Sequence, residues 1–356
     1  MRQDGEKPSL IQKSENERNA IRSRDSYEPI NPAMPVRVVI ATTDACNLRC
    51  PMCISSPHNV HFELPFDTFR ELARETFPLA KEYHMGGSGE PLLTSYFSKI
   101  PPIVKDYQLK MSIITNGMLL TEKISEMIMP VLRDVKVSFD GATKETFEKI
   151  RPGSCFETIV ENIRDFVRIR ESSPKKAEIT LQTTLMYDNI KEFPNIVEIA
   201  HDLGVDRVKA CFMRALTKEM TPQCLWFHKK IANRYLEKAE KLAKSYGIRA
   251  MFPKRFDLRE SHGIDAKTKK RGFCHYLWEE VWIDTNGDVK PCCHRKSPVV
   301  GNINEETFKK IWNNKTYQEM RRRLKSEPFN YCKNCALVNE FRTRDWVYSR
   351  ESLIFT

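Results

Sequence analysis

The sequence predicts an α/β chain, a partial (β/α)6 barrel followed by a small C-terminal α+β module that binds a metal cluster. Three observations carry this reading. Short apolar runs alternate with amphipathic stretches from Val36 to about Met213, polar and glycine-bearing turns follow the early runs, and eight of the eleven cysteines fall into two groups. Strand then helix, repeated about six times, means a parallel sheet curling toward a barrel.

Residues 1–34 are polar with little periodicity and read as a flexible arm or short capping segment. Residues 35–225 form the expected barrel. Its strand-like runs are Val36–Ala41, Tyr83–Met85, Leu109–Ile114, Val135–Phe139, Ile179–Leu185 and Arg207–Phe212. The helical stretches between them include Phe66–Ala80, Thr121–Leu132, Phe156–Arg170 and Ile190–Leu203. Residues 226–271 read as a Lys-rich helix, Trp226–Tyr246, stopped by Gly247, and a linker rich in Pro, Gly and charge. Residues 272–345 are the expected cluster module, and 346–356 a tail.

The turns after the first four runs carry the chemistry. Cys46, Cys50 and Cys53 follow the first, Gly86-Gly87-Ser88-Gly89-Glu90-Pro91 the second, Thr115-Asn116-Gly117 the third and Ser138-Phe139-Asp140-Gly141 the fourth. In a β/α barrel the carboxyl ends of the strands are where active sites are built. Three thiolates in eight residues suit one face of an iron–sulfur cluster and leave one iron without a protein thiolate. A zinc knuckle is the competing reading, but zinc normally needs a distant second pair of ligands. The glycine loop reads either as a flexible turn or as backbone freed to approach a ligand. Asn116 sits in an Asn-Gly pair that leads into a helix rather than a returning strand. Ser138 and Asp140 read also as an ordinary turn before the N-cap Thr143. Gln182 and Thr184 alternate on one face of the fifth strand.

The spacing C-x3-C-x2-C of Cys46, Cys50 and Cys53 resembles the motif of the radical S-adenosylmethionine (SAM) superfamily. The resemblance implies a TIM-like partial barrel and a [4Fe-4S] cluster whose open iron binds SAM, cleaved reductively to a 5′-deoxyadenosyl radical. It also implies roles for the neighbouring loops. Gly87, Ser88, Gly89 and Glu90 resemble the family's GGEP motif, with a serine inserted, and would hold the SAM amino group. Asn116 would be a ligand-facing amide, Ser138 and Asp140 would lie near the SAM carboxylate or ribose, and Arg151 would pair with that carboxylate. Met52 stands where the family often has an aromatic residue, and its thioether would pack against adenine.

The second cysteine group is Cys274, then 17 residues, then Cys292 and Cys293, then Cys332 and Cys335. Glu280–Val289 reads as a hairpin about Asn286-Gly287, and Glu305–Arg323 as an amphipathic helix. From spacing alone, zinc and an iron–sulfur cluster are both open. With Gly287 ahead of Cys292, the pattern resembles the SPASM/twitch extension of radical SAM enzymes. No cysteine follows Cys335, which favours the twitch form: one auxiliary [4Fe-4S] cluster held by Cys274, Cys292, Cys332 and Cys335. Whether Cys292 or Cys293 turns inward stays open. The resemblance is to the class that includes sulfatase-maturing enzymes, peptide maturases and an aminoglycoside alcohol dehydrogenase.

Composition narrows the setting. No apolar run approaches the length of a membrane span and no signal-peptide pattern opens the chain, so a cytoplasmic protein is expected. Its thiols are then reduced and serve metal or redox work. The net charge of +11 suits an acidic substrate or electron carrier, whereas no aromatic residues interleave the basic clusters, leaving nucleic acid unsupported. Two enzyme readings compete: oxidation or rearrangement of a small molecule, sugar- or aminocyclitol-like or phosphorylated, and crosslinking or epimerisation of a precursor peptide. A metal-binding regulator without turnover is the third. In the epimerase version a spare thiol donates a hydrogen atom; among Cys155, Cys211 and Cys224, Cys211 on the sixth strand is the candidate. The family implies a low-potential ferredoxin or flavodoxin as electron donor.

Overall fold

Successive side chains of a strand point to opposite faces, and the strands here give each face its own chemistry. Along Arg207–Phe212, Val208, Ala210 and Phe212 are buried, while Arg207, Lys209 and Cys211 are half-buried. The first set packs under helices and the second lines a concave inner face. A computed structural model describes residues 9–53, 61–215, 217–258, 274–294, 297–327, 329 and 332.

In chain order the first half holds α1 (Leu10–Asp25), β1 (Arg37–Ile40), α2 (Phe66–Thr76), β2 (Glu82–Met85), α3 (Ile100–Asp106), β3 (Lys110–Thr115), α4 (Glu122–Ile128), β4 (Leu132–Ser138), α5 (Lys144–Ile150) and α6 (Phe156–Ser172). There follow β5 (Glu178–Leu185), α7 (Phe193–Asp202), β6 (Arg207–Phe212), α8 (Lys229–Tyr246), β7 (Arg249–Met251), α9 (Tyr276–Glu279), β8 (Glu280–Ile283), β9 (Asp288–Lys290), β10 (Gly301–Asn302), α10 (Phe308–Trp312) and α11 (Lys315–Ser326). The six expected runs are thus β1 to β6, and the four expected barrel helices are α2, α4, α6 and α7, each shifted by a few residues at its ends.

Among the described residues one sheet runs β10-β9-β8-β1-β2-β3-β4-β5-β6-β7. Strands β1 to β7 are parallel neighbours in chain order, and β8 pairs parallel to β1 on its other side. Two pairings extend the sheet beyond the six expected strands. The stretch assigned to a helix and linker contributes β7, paired with β6 through Lys209 and Met251, and α8 packs beside α7. The hairpin assigned to a separate module, β8 and β9 about Asn286-Gly287, extends the same sheet. Gly287 takes φ +87°, where a side chain would meet Asn304.

Over residues 9–34 the chain is a docked segment, the capping alternative to a flexible arm. Residues Leu10–Asp25 form α1, opened by a capping box between Ser9 and Gln12. Its buried face is polar: Lys13, Asn16 and Ser23 beside Ala20. The Lys13 ammonium donates to the carbonyls of Ala80 at 2.7 Å, Tyr107 at 2.5 Å and Phe77 at 3.4 Å. Asn16 exchanges hydrogen bonds with Met34 and also donates to the Leu79 carbonyl. These side chains satisfy carbonyls that loops would otherwise leave buried without partners.

The amino ends of the strands are closed by a charged lattice on the inner face. Arg37 bridges Glu82 and Glu280, each at 2.8 Å; Arg133 joins Glu82 to Asp134, and Asp134 also takes Lys136 and the Ser112 hydroxyl. His84 and Trp282 reach Glu82 and Glu280 from above. The carboxyl ends, where the cysteine loop lies, are therefore the open side. The C-terminal segment is riveted to the N-terminal one by Arg321, whose buried guanidinium donates to Leu277, Pro29 and Trp312 carbonyls and to the Asn313 amide oxygen. No helix among the described residues is long and apolar enough to cross a membrane.

Candidate active site

The loop after β1 carries Cys46, Cys50 and Cys53, half-buried, buried and exposed in that order. Cys53 donates its backbone N–H to the Cys50 carbonyl at 3.0 Å, turning the loop back on itself. Two glycines clamp it. A side chain at Gly89, φ +60°, would come within 2.6 Å of the Thr43 and Ala45 carbonyls, and one at Gly153, φ +96°, within 3.0 Å of the Asn47 carbonyl. The Glu90 N–H donates to Ala45 at 2.7 Å, and the Arg49 N–H to Pro152 at 3.0 Å. The loop is thus gripped from the β2 side and from the α5 side.

Donors surround its sulfurs. Cys46 Sγ accepts the Leu48 N–H at 3.4 Å and lies 4.0 Å from Asn116 Nδ2; Cys50 Sγ lies 3.8 Å from Arg151 Nη1. Burial pushes the Cys50 thiol up to about 11, with Arg151 pulling it back and the neighbouring Cys53 and Cys46 adding to the rise. Burial likewise raises Cys46. Among the described residues these three sulfurs do not gather within 4.8 Å of one another, the closeness of ligands sharing one ion. Thiolates that each take a different iron of a cubane have no need to. The loop fits a [4Fe-4S] cluster.

The remaining expected residues divide between open and inward-turned. Gly87 is exposed at φ +123°, with Ser88 half-buried beside it. Glu90 turns inward at 2 % exposure: Oε1 accepts from the Thr115 hydroxyl at 2.7 Å and the Leu92 N–H at 3.2 Å, and Oε2 from the Asn116 N–H at 2.7 Å. Burial raises its pKa while these donors pull it back. Asn116 spends its amide on Asn47 Oδ1 at 2.7 Å and on the Met118 N–H at 3.0 Å. Asp140, fully buried, accepts from the Thr184 N–H at 2.6 Å and from Arg151 through Nε at 2.7 Å and Nη2 at 2.6 Å. Glu90, Asn116 and Asp140 therefore brace the cysteine loop and Arg151. Asn47 and Gly153 share that work and escaped sequence reasoning, as did the role of Thr115 within its expected turn, because the partner of each lies on a distant turn.

Ser138 lies on the inner face beside Gln182. Met52 packs against an apolar patch of Ile150, Met186, Met213 and Cys224 at the barrel mouth. Cys211 pairs across β5 with Thr184 and lies within electrostatic reach of Asp140; burial raises its thiol. Cys155 is half-buried near Glu148 and Glu157.

In the C-terminal segment Cys274, Cys292 and Cys332 are half-buried and Cys293 is exposed; Cys335 lies outside the described residues. The Tyr276 hydroxyl bonds Cys293 and lies near Cys274, whereas Cys292 faces Ser297 at 3.5 Å and the buried Tyr317. Thiols and hydroxyl donors in this set suit a thiolate-bound cluster.

Comparison with known proteins agrees with this geometry. Residues 40–200 match the model of the radical SAM superfamily, and residues 274–336 that of the SPASM iron–sulfur cluster-binding domain. An AdoMet-dependent heme synthase of Methanosarcina barkeri is 28 % identical over 305 residues, covering 76 % of this chain and 80 % of the relative. A tungsten-containing aldehyde ferredoxin oxidoreductase cofactor-modifying protein of Pyrococcus furiosus is 24 % identical over 316 residues, covering 83 % and 85 %. The fold is shared with Streptococcus suis SuiB bound to S-adenosylmethionine, with TM-score 0.63, 14 % identity and coverage of 86 % and 72 %. It is shared too with anSMEcpe with bound AdoMet, with TM-score 0.63, 17 % identity and coverage of 89 % and 94 %. The cofactors are accordingly SAM, a SAM-binding [4Fe-4S] cluster and auxiliary iron–sulfur ligation in the SPASM domain. A partial barrel open at the cysteine loop, with a second thiol set downstream, places this chain in the radical SAM superfamily as an enzyme with a C-terminal SPASM domain.

Proposed function

We propose that this enzyme oxidises or rearranges a small molecule held on the inner face of the barrel. The cluster and SAM, when bound, supply one-electron cleavage and abstraction of a substrate hydrogen. The protein's own work is positional. Cys46, Cys50 and Cys53 hold the SAM-binding cluster, Glu90, Asn116, Asp140 and Arg151 fix their loop, and the exposed Gly87 backbone receives the SAM amino group. Met52 and its apolar patch receive the adenine, and Ser138 the carboxylate or ribose. Cys274, Cys292, Cys332 and Cys335 would hold the auxiliary cluster, which would supply a one-electron acceptor for the substrate radical left by hydrogen abstraction. A ferredoxin or flavodoxin would supply the separate electron that the cleavage of SAM consumes.

One observation supports a small ligand: buried polar atoms on the inner strands, Thr180 Oγ1 and Gln182 Oε1, have no hydrogen-bond partner. The names of the relatives, a heme synthase, a cofactor-modifying protein and GTP 3′,8-cyclases, also concern small molecules or cofactors. The second reading is a peptide modification quenched by Cys211, supported by its neutral, inward-facing thiol. The test is SAM cleavage by the anaerobically reconstituted, reduced enzyme in the presence of cell-extract fractions. Stimulation by a low-molecular-mass, protease-resistant fraction is expected. Stimulation that protease treatment abolishes would replace this reading with peptide modification.

A further inference from the structure

We infer that the substrate carries an anionic group, a carboxylate or a phosphate, and that Lys209 is the residue that anchors it, with Gln182 and Thr180 completing the subsite. The inference deepens the small-molecule reading above and rests on it.

Register places these groups together. Ser138 pairs with Gln182, Gln182 with Lys209 and Lys209 with Met251, so one row crosses the inner face from β4 to β7. The row below it is Lys136, Thr180, Arg207 and Arg249. The other cations of these two rows are spoken for. Lys136 is held by Asp134, and both Arg207 and Arg249 by Glu178. Among the described residues no hydrogen bond or ion pair engages the Lys209 ammonium. The Cys211 thiol, two residues along β6 and nearer the mouth, lies within its electrostatic reach.

Lys209 is half-buried on the inner face, and a cation there without a counter-charge is suited to an arriving anion. Beside it, Thr180 is 1 % exposed with its hydroxyl unpartnered, and the Gln182 amide oxygen is buried and unpartnered. The Thr180 hydroxyl can donate to an anion, and the Gln182 carboxamide can do so by a flip that exchanges its buried oxygen for the NH2, so both can fix an anion's orientation once an ammonium has set its charge. Apolar side chains end the two rows: Ile114 on β3, in register with Lys136, is 43 % exposed and Met251 on β7, in register with Lys209, is 49 % exposed. A cationic point with polar partners between apolar walls is the lining of a small-ligand site. The charged lattice closes this side below, and Cys211 and the cysteine loop lie toward the mouth. An anion on Lys209 would therefore leave the rest of the molecule pointing at the reacting end.

The test uses the cluster-loaded, SAM-bound enzyme in its oxidised form and three probes: inorganic phosphate, succinate and neutral succinamide. Equilibrium dialysis should show saturable binding of phosphate or succinate and none of succinamide. Lys209→Met should weaken that binding by about tenfold or more, and Lys209→Arg should retain it. Phosphate alone would assign a phosphoryl group to the substrate, and succinate alone a carboxylate. A measurement on the unaltered enzyme stands beside the variants: the bound probe should slow acetylation of Lys209 but not of exposed Lys241. Absence of probe binding and of protection, or binding unchanged in Lys209→Met, overturns the inference. So does an equal fall in SAM affinity in Lys209→Met, which would give Lys209 to SAM. Failure of the parent reading is separate, since it shows as protease-sensitive stimulation of SAM cleavage by the unaltered enzyme.

Discussion

The Glu90 carboxylate accepts the Asn116 backbone N–H at 2.7 Å, and this bond ties the turn after β2 to the turn after β3. Thr115 and Leu92 donate to the other oxygen, so both oxygens are occupied by donors from two loops. Glu90→Gln would turn an amide NH2 toward one of these donors and leave it unsatisfied in a site that is 2 % exposed. The expected cost is about 1–3 kcal/mol. Urea unfolding of the cluster-free protein under anoxia measures it. Because Asn116 braces Cys46 and Asn47, iron retained after desalting should fall in the same variant. Unchanged stability and unchanged iron would show that Glu90 faces a ligand instead of the loop.

Lys13 fastens α1 to the carbonyl ends of α2 and α3, and burial pushes its pKa down to about 8. Lys13→Met removes three hydrogen bonds and should lower stability by about 2 kcal/mol near neutrality. The pH dependence has a definite sign. A lysine whose folded pKa lies below its unfolded value of about 10.4 binds fewer protons when folded, so its contribution grows as pH rises between the two. The difference in melting temperature between the native protein and Lys13→Met should widen from pH 8 toward pH 10. A flat difference would mean that the three carbonyls keep the ammonium charged throughout.

The same helix shows why some of the fold was not legible in the sequence. The buried face of α1 is Lys13, Asn16, Ala20 and Ser23, which carries no apolar period, so a docked helix reads as a polar arm. Strand β7 escaped because all three of its residues are exposed. Strand β8 was legible as a strand, but its partner β1 is more than 200 residues away and local pattern carries no pairing information. The cysteine loop was legible because cluster ligation constrains spacing within one turn. The inward turn of Glu90 was not, since its donors come from another loop. Lys209 stood in plain alternation along β6, yet its isolation appears only when each neighbouring cation is seen to hold a carboxylate.

The lattice at the closed end predicts an acid response. Against the desolvation of its burial, Asp134 is drawn down to about 2, by Lys136 first and then by hydrogen bonds from Ser112 and Arg133. A carboxyl depressed on folding stabilises the protein above its unfolded pKa of about 3.9, and that stability is lost as pH falls through the folded value. Comparison of the native protein with Asp134→Asn should show a difference of about 2 kcal/mol above pH 4 that shrinks toward pH 2. Chemical denaturation at stepped pH provides the reading. A difference that persists undiminished at pH 2 would mean that packing, and not charge, makes Asp134 matter.

The strongest coupling is expected between Asp140 and Arg151. Asp140 is fully buried, and Arg151 grips one of its oxygens with two nitrogens while directing the third at Cys50 Sγ, 3.8 Å away. Removing one partner of such a pair leaves a buried charge without compensation, at about 3–5 kcal/mol, whereas removing both costs much less than the sum. Arg151→Met and Asp140→Asn should therefore each destabilise the cluster-free protein strongly, and the double variant should recover part of the loss. Arg151→Lys should fall between, since an ammonium keeps the charge but not the fork that spans Asp140 and Cys50. A double-mutant cycle from urea midpoints at fixed m-value isolates the coupling. Strict additivity would mean that each residue is held by its other contacts, Asp140 by the Thr184 N–H and Arg151 by the cysteine loop, and that the pair does not carry the geometry of Cys50.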